Sequence, residues 1–287
     1  MFAERVRTLA VIGAGTMGQG IAYVAARAGY EVYLHDLTLE ILEKALTAIR
    51  ATFDEGIRRG KVTPAEKEAA LAAIHPTEDL AHAVASADLI VEAVPEKLSL
   101  KQDVFRRLDD LCLPDAILAS NTSSLSIGEI ASVTRRPERV LGMHFFNPPH
   151  LMKLVEIVRH DGTSPQVIEI ARHVVGRMKK ESIVVRDVPG FATSRLGVAL
   201  GLEAMRMLEQ GVASAEDIDR AMELGYNHPM GPLRLSDLVG LDVRLSIAEY
   251  LYERLKSEVF RPPDILRRLV AEGKLGKKSG EGFYRWE

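Results

Sequence analysis

Apolar and polar positions come in alternating blocks through the first two thirds of the chain. "VRTLAVIGAG" is a short β-rich run that ends in glycines, and "TMGQGIAYVAARAG" after it has helical composition and small residues. "YEVYLHD" (30–36) reads as a second strand that ends in an aspartate. Over residues 37–60, Ile41, Leu42, Ala45, Ile49 and Phe53 repeat at helical spacing and predict a long amphipathic helix. "KVTPAEKEAALAAI" (61–74) predicts another, with Thr63 as N-cap and Pro64 in its first turn. "ADLIVEAVPE" and "DAILASNTSSLS" are two further buried strands, each followed by a helix-like segment. Strands that alternate with helices in this way predict a doubly wound, mostly parallel sheet.

The rhythm changes near residue 187. Beyond it there are no convincing β-runs, and helices are expected at about 191–210, 215–224, 232–239, 241–256 and 264–272. Asp187-Val188-Pro189-Gly190 has the composition of a linker. The chain is therefore expected to form an α/β domain over 1–187 and a smaller all-helical domain over 188–287. Leu196, Ala199, Leu200, Glu203, Ala204 and Met207 mark a stripe on the first of these helices, suited to a core or to a two-fold interface.

Composition narrows the class. The chain has 287 residues, 47% hydrophobic and 27% charged, with a net charge of -3, which gives no case for nucleic acid. No apolar run approaches the roughly 20 residues of a membrane helix. The single cysteine, Cys112, excludes an internal disulfide and reads as a packed thiol at a helix end. The charged start has no secretion-signal pattern, so the expected compartment is the cytoplasm. His35, His75, His82, His150, His160, His173 and His228 have no ligand at metal spacing, and no metal is expected.

"GAGTMG" places Gly13, Gly15 and Gly18 in G-x-G-x-x-G spacing between a strand and a helix. The first glycine permits the tight turn, the second lets backbone approach a pyrophosphate, and the third lets helix and strand pack closely. Thr16 and Met17 open the helix whose N–H groups would receive the phosphates. Asp36 ends the second strand at about the expected ~20-residue interval. A carboxylate there accepts from both ribose hydroxyls and repels a 2′-phosphate, so the Rossmann-type site is expected to take NAD rather than NADP. Ser120, Asn121, Thr122 and Ser123 follow a strand end, and four polar residues in a row exceed what a helix cap requires.

"GMHFFNPPHLMKLVEIV" holds the candidate chemistry. His144 follows an apolar strand and should open onto the same crevice. An imidazole titrates near pH ~6.5 and can take the proton of an alcohol as hydride leaves its carbon. Glu156 sits mid-strand among apolar residues, where a bare carboxylate would be costly unless paired. A bond to His144 would supply that partner. The alternative is a solvated glutamate and an ordinary loop histidine.

With these segments in hand, the chain resembles the L-3-hydroxyacyl-CoA dehydrogenase family nearly end to end, and within it the short bacterial 3-hydroxybutyryl-CoA dehydrogenases. The blocks that carry the likeness are "VIGAGTMGQGIA", "SNTSSLSI", "GMHFFNPPHLMKLVEIV", "DVPGF", "HPMGPLRLSDLVGLD" and "GKLGKKSGEGFY". The resemblance implies NAD-dependent oxidation of 3-hydroxyacyl-CoA thioesters, and a homodimer formed through the helical C-terminal domain. It matches His144 to the catalytic base, Glu156 to its carboxylate partner, and Ser123 to a serine that contacts substrate and cofactor. Glu96, Lys101 and Asn147 match nicotinamide-side contacts, and Lys278 a tail lysine near the cofactor. One departure stands out. Many members have asparagine in "GF-x-x-NR", where this chain has "GFATSR" and thus Ser194, a shorter side chain with fewer hydrogen-bonding sites. For the coenzyme A tail, "GIRRGKVTPAEK" offers Arg58, Arg59, Lys61 and Lys67, with Arg59 and Lys61 the expected contacts. The same cations would also suit a solvated helix end.

Two other functions fit parts of this pattern: a dehydrogenase of the same fold acting on a non-CoA hydroxy acid such as a sugar acid, and a catalytically silent nucleotide-binding protein.

Overall fold

The computed structural model describes residues 6–286. The chain divides into two compact units, Met1–Asp187 and Val188–Glu287.

The first unit is built on eight strands: β1 (Thr8–Ile12), β2 (Glu31–His35), β3 (Ile74–Thr77), β4 (Leu89–Glu92), β5 (Ile117–Ser120), β6 (Val140–Phe145), β7 (Leu154–Arg159) and β8 (Glu181–Arg186). They form one sheet in the order β3-β2-β1-β4-β5-β6-β7-β8. Pairings are parallel except β6 with β7, which is antiparallel. This is the doubly wound arrangement, with the last two strands, β7 and β8, reversed. Crossover helices are α1 (Thr16–Arg27), α2 (Leu39–Arg58), α3 (Pro64–Ala72), α4 (Leu80–Val84), α5 (Leu98–Leu111), α6 (Ile127–Ala131) and α7 (Pro165–Arg177).

The central strands are buried on both faces, which is why they read as unbroken apolar runs rather than alternating ones. On α2, Leu42, Ala45, Ile49 and Phe53 are buried as the periodicity implies, but Ile41 lies at the edge of the stripe and is exposed. Thr63 caps α3 in a full capping box with Glu66, and Pro64 opens the helix. The expected helix over 61–74 ends early, because Ile74 begins the edge strand β3. Pro76 is tolerated there because an edge strand has one unpaired side.

The second unit is helical: α8 (Thr193–Glu209), α9 (Ala215–Tyr226), α10 (Pro232–Val239), α11 (Leu241–Leu255) and α12 (Asp264–Ala271). Its core contains Val198, Leu202, Met205, Leu233, Leu241 and Leu251. Of the stripe expected on α8, Ala204 is buried and Ala199 and Met207 pack against the core, while Leu196 and Glu203 face solvent. Two buried carboxylates hold the C-terminal tail. Asp237 accepts from the Phe283 and Tyr284 N–H groups and the Trp286 indole. Asp219 accepts from the Tyr284 hydroxyl and from the first N–H groups of α10. Among the described residues no helix is long and apolar enough to cross a membrane.

Candidate active site

The glycine turn sits between β1 and α1. Gly13 has φ +101°, and a Cβ there would meet the Ala93 carbonyl at 2.8 Å. A Cβ on Gly18 would overlap the Gly13 carbonyl, so strand and helix approach each other only through glycine. A Cβ on Gly15 would meet nothing within 4 Å, so this backbone faces open space. Gly15 is also the N-cap of α1, and no side chain caps that end. The N–H groups of the first turn, at Thr16 and Met17, are thus oriented for an anion rather than used by the protein's own side chains. Asp36, just past β2, accepts from the Ala14 N–H at 2.7 Å and the Leu37 N–H at 2.7 Å. Its carboxylate is tied directly to the glycine turn. An open backbone, an uncapped helix start and an acid at the end of the second strand fit a dinucleotide with a free 2′-hydroxyl.

β4 and β5 end beside this turn. Glu96 lies in the loop after β4, and its Oε1 accepts from the Thr122 hydroxyl at 2.5 Å, the Ser123 N–H at 2.9 Å and the Ser124 N–H at 3.3 Å. Thr122 in turn caps its own turn, accepting from the Leu125 N–H. Asn121 accepts from the Phe145 N–H at 2.8 Å and so ties the end of β5 to the end of β6. The four polar residues therefore build the loop, and Ser123 is the one carried at its half-buried tip.

Lys101, one of the expected nicotinamide-side residues, is completely buried on α5. Its ammonium donates to Glu92 Oε1 at 2.7 Å and to the Val94 carbonyl at 3.2 Å, with Glu96 Oε2 at 3.4 Å. Glu92, the last residue of β4, is equally buried and also accepts from the Ser120 hydroxyl at 2.6 Å. Burial pushes the Glu92 carboxyl up, while Lys101, Ser120 and the Val94 N–H pull it back. The sequence reading passed over Glu92. Its signal was a glutamate closing the apolar run "LIVE", the same kind of signal that marked Glu156.

His144 and Glu156 occupy paired positions of the antiparallel β6–β7 ladder. Both are buried, and His144 Nδ1 lies 2.8 Å from Glu156 Oε2. The Phe146 ring packs on the imidazole, with centroids 4.4 Å apart. Asn147 follows in the loop, joined to Pro148 by a cis peptide bond. That loop closes one side of a cavity of about 170 Å³, whose lining includes Thr16, Gln19, Tyr23, Thr52, Asn147 and His150. The Gln19 Oε1 atom is buried without a partner. Burial, followed by the Lys180 and Arg59 charges, pushes the His150 imidazole below its ordinary value.

The remaining expected residues lie elsewhere. Arg59, at the end of α2, is paired with Glu55 at 2.5 Å, and Lys61 is exposed. Arg58 pairs with the same glutamate, and Lys67 with Asp54, so the basic stretch is partly neutralised. Ser194 stands in the first turn of α8 in the second unit. Lys278, also in the second unit, donates to Asp242 at 2.6 Å.

Comparison with known proteins bears on the whole chain. The family model described as 3-hydroxyacyl-CoA dehydrogenase, NAD binding domain, matches residues 8–188. The model for the C-terminal domain of 3-hydroxyacyl-CoA dehydrogenase matches residues 190–286. A probable 3-hydroxybutyryl-CoA dehydrogenase of Bacillus subtilis is 43% identical over 282 residues, covering 98% of both chains. A 3-hydroxybutyryl-CoA dehydrogenase of Mycobacterium tuberculosis is 42% identical over 289 residues, covering 99% of this chain and 100% of that one. Among solved structures, the (S)-3-hydroxybutyryl-CoA dehydrogenase of Ralstonia eutropha superposes with a TM-score of 0.95 at 38% identity, covering 98% and 99% of the two chains.

Proposed function

The chain belongs to the 3-hydroxyacyl-CoA dehydrogenase family, an NAD-dependent oxidoreductase family, and from that premise we propose that it interconverts short-chain L-3-hydroxyacyl-CoA, chiefly 3-hydroxybutyryl-CoA, and 3-oxoacyl-CoA, with His144 and Glu156 as the proton-transfer pair. The observation that carries this reading is the 2.8 Å bond between two buried, ionisable side chains in one ladder pair.

The bound NAD supplies a hydride acceptor at the carbon that carries the alcohol. His144 supplies the base. With Nδ1 held by the carboxylate, Nε2 is the ring nitrogen that takes the hydroxyl proton as the carbonyl forms, and it returns the proton in the reverse direction. Glu156 fixes the ring's orientation and tautomer and stabilises the imidazolium. Phe146 keeps one face of the ring from water. Ser123 and Asn147 orient the reacting oxygen and the nicotinamide. Ser194 is a proposed substrate contact and Lys278 a proposed cofactor contact, both on the strength of the family match. The coenzyme A tail is proposed to follow the groove lined by Gln19, Thr52 and His150 toward Arg59 and Lys61. The Arg59 charge felt by His150 supports that course. We also propose a homodimer formed through the helical unit, in a cytoplasmic setting. Exposed apolar side chains such as Leu196 and Leu224 support the dimer.

The test follows NADH absorbance with acetoacetyl-CoA. Steady oxidation is expected, with His144→Gln retaining NADH affinity and losing turnover by ~10²–10⁴-fold. Wild-type protein that oxidises no NADH with any C4 to C16 acyl-CoA would end the dehydrogenase reading. An unchanged KM in the Arg59→Ala/Lys61→Ala variant would remove these two residues from coenzyme A binding.

A further inference from the structure

The loop from β6 to β7 carries Asn147, and a lysine on a distant element holds that loop by its backbone. Within the loop, the Leu151 and Met152 N–H groups both donate to the Pro148 carbonyl, at 3.0 and 3.1 Å, and close one tight turn. Lys180, just before β8, donates its ammonium to two more carbonyls of this turn, Pro149 at 2.5 Å and Met152 at 2.6 Å. Among the described residues no carboxylate pairs with Lys180. Burial pushes its ammonium below the ordinary lysine value. A lysine that merely covered the surface would keep its charged head in water. This one is half-buried and drawn onto neutral acceptors.

The turn is held from its other side as well. Pro149 is buried, although Asn147 and His150 beside it are exposed. Its ring fills the place of a side chain at Gly20 on α1, where a Cβ would meet Pro149 Cδ and Cγ at 2.6 Å. The ring thus sits in a notch on α1 while the carbonyl of the same residue is gripped by Lys180. Asn147, two residues earlier, stands at the rim of the cavity that Thr16, Gln19 and His150 also line.

We propose that Lys180 is a positioning residue: its ammonium, bound to the Pro149 and Met152 carbonyls, seats Pro149 in the Gly20 notch and so fixes Asn147 where it orients the reacting groups. Lys180 itself touches neither substrate nor cofactor. This rests on the dehydrogenase reading and adds to it a residue outside both ligand sites.

Four variants of the full chain test it: Lys180→Met, Lys180→Arg, Gly20→Ala and the double variant Lys180→Met/Gly20→Ala. Each is followed by thermal melting, by amide hydrogen exchange at Leu151 and Met152, and by steady-state kinetics with NADH. Two thioesters are compared, acetoacetyl-CoA and acetoacetyl-pantetheine, which lacks the charged nucleotide. Lys180→Met is expected to speed exchange at both amides and to lower kcat by about 10- to 100-fold with either thioester, the cost of a misplaced orienting group. Lys180→Arg keeps most of the wild-type kcat, because a guanidinium also donates to two carbonyls. Gly20→Ala displaces Pro149 without touching Lys180 and lowers kcat similarly. The double variant is no worse than the weaker single one, because both changes release the same turn.

A loss confined to KM for acetoacetyl-CoA, absent with the pantetheine thioester, would mean that Lys180 contacts the charged tail directly, and overturns the proposal. A lower melting temperature with wild-type kcat makes the lysine merely structural and overturns it too. So do additive losses in the double variant. Exchange at Leu151 and Met152 needs no turnover. A wild type without activity on either thioester counts against the dehydrogenase reading, whereas unchanged exchange in Lys180→Met counts against the grip of Lys180.

Discussion

His144 and Glu156 are twelve residues apart in sequence but directly opposite each other in the antiparallel β6–β7 ladder, where their side chains meet at 2.8 Å. Cross-strand placement fixes their separation by backbone hydrogen bonding, so the pair is set before any ligand arrives. Glu156→Gln keeps the shape of the side chain and removes its charge. Turnover is expected to fall on the order of 10²-fold or more, with NADH affinity unchanged, because the amide neither stabilises an imidazolium nor enforces one tautomer. Stopped-flow NADH oxidation beside a fluorescence titration would separate the two quantities. Equal losses in both would assign Glu156 to folding rather than to proton transfer.

Asp36 links the glycine turn to the end of β2 through bonds to Ala14 and Leu37. Asp36→Ala is expected to weaken NADH binding by roughly 10- to 100-fold, the value of a charge-assisted hydrogen bond. NADPH should lose much less, because the 2′-phosphate no longer meets a carboxylate. The ratio of kcat/KM for the two coenzymes measures this directly, and a ratio equal to wild type would separate Asp36 from coenzyme choice.

Asp109, on α5, is almost fully buried and accepts from the Arg135 N–H, the Arg135 guanidinium and the Arg136 guanidinium at 2.8–3.0 Å. Burial pushes its carboxyl up, but the bonds from Arg136 and Arg135 outweigh this and hold it below the ordinary carboxylate range. A depressed carboxyl contributes stability above its unfolded pKa, near ~3.9, and loses it as pH falls through the folded value. Asp109→Asn should therefore cost about 2 kcal/mol at pH 7, reduced from the buried-pair figure because Arg135 is largely solvent-exposed. The difference from wild type should shrink as pH drops below about 4. Urea titrations across that range would show the convergence, and a constant gap would contradict it.

Arg244, on α11, is 7% exposed, and its Nε has no partner. Among the described residues no carboxylate pairs with it, and burial pushes the guanidinium down to about 10. A charge in that setting costs stability. Arg244→Met, similar in length and apolar, is expected to stabilise the protein by about 1–2 kcal/mol and to raise its melting temperature by several degrees. Calorimetry of the two proteins decides the sign.

Much of this was legible in the sequence because the physics concerned was local. The glycine turn and Asp36 are set by strand and helix signals within one βαβ unit. Thr63 and Pro64 announced their cap because capping needs only residues close in sequence. The surroundings of Lys101 could not be read from its own helix, because Glu92, on the strand before it, shares its ammonium. Small residues at Gly197, Ala199 and Gly201 blur the boundary between the faces of α8, so the core takes Val198, Leu202 and Met205 as well as Ala204, with Ala199 and Met207 packed against it. Ile74 turned into β3 rather than ending a helix, because β2 offered an open edge for it to pair with.

Insertions and deletions should fall very unevenly around the His144–Glu156 pair. The connection from Phe146 to Lys153 can be lengthened or rewritten without moving the pair, since hydrogen bonds between the strands, not the loop, set who faces whom. A single residue lost inside β7 would put Val155 or Ile157 across from the imidazole and turn the acid to the opposite face of the sheet. Sequence change in the loop can therefore accumulate in small steps, while the ladder pairing beneath it is inherited whole or lost at once.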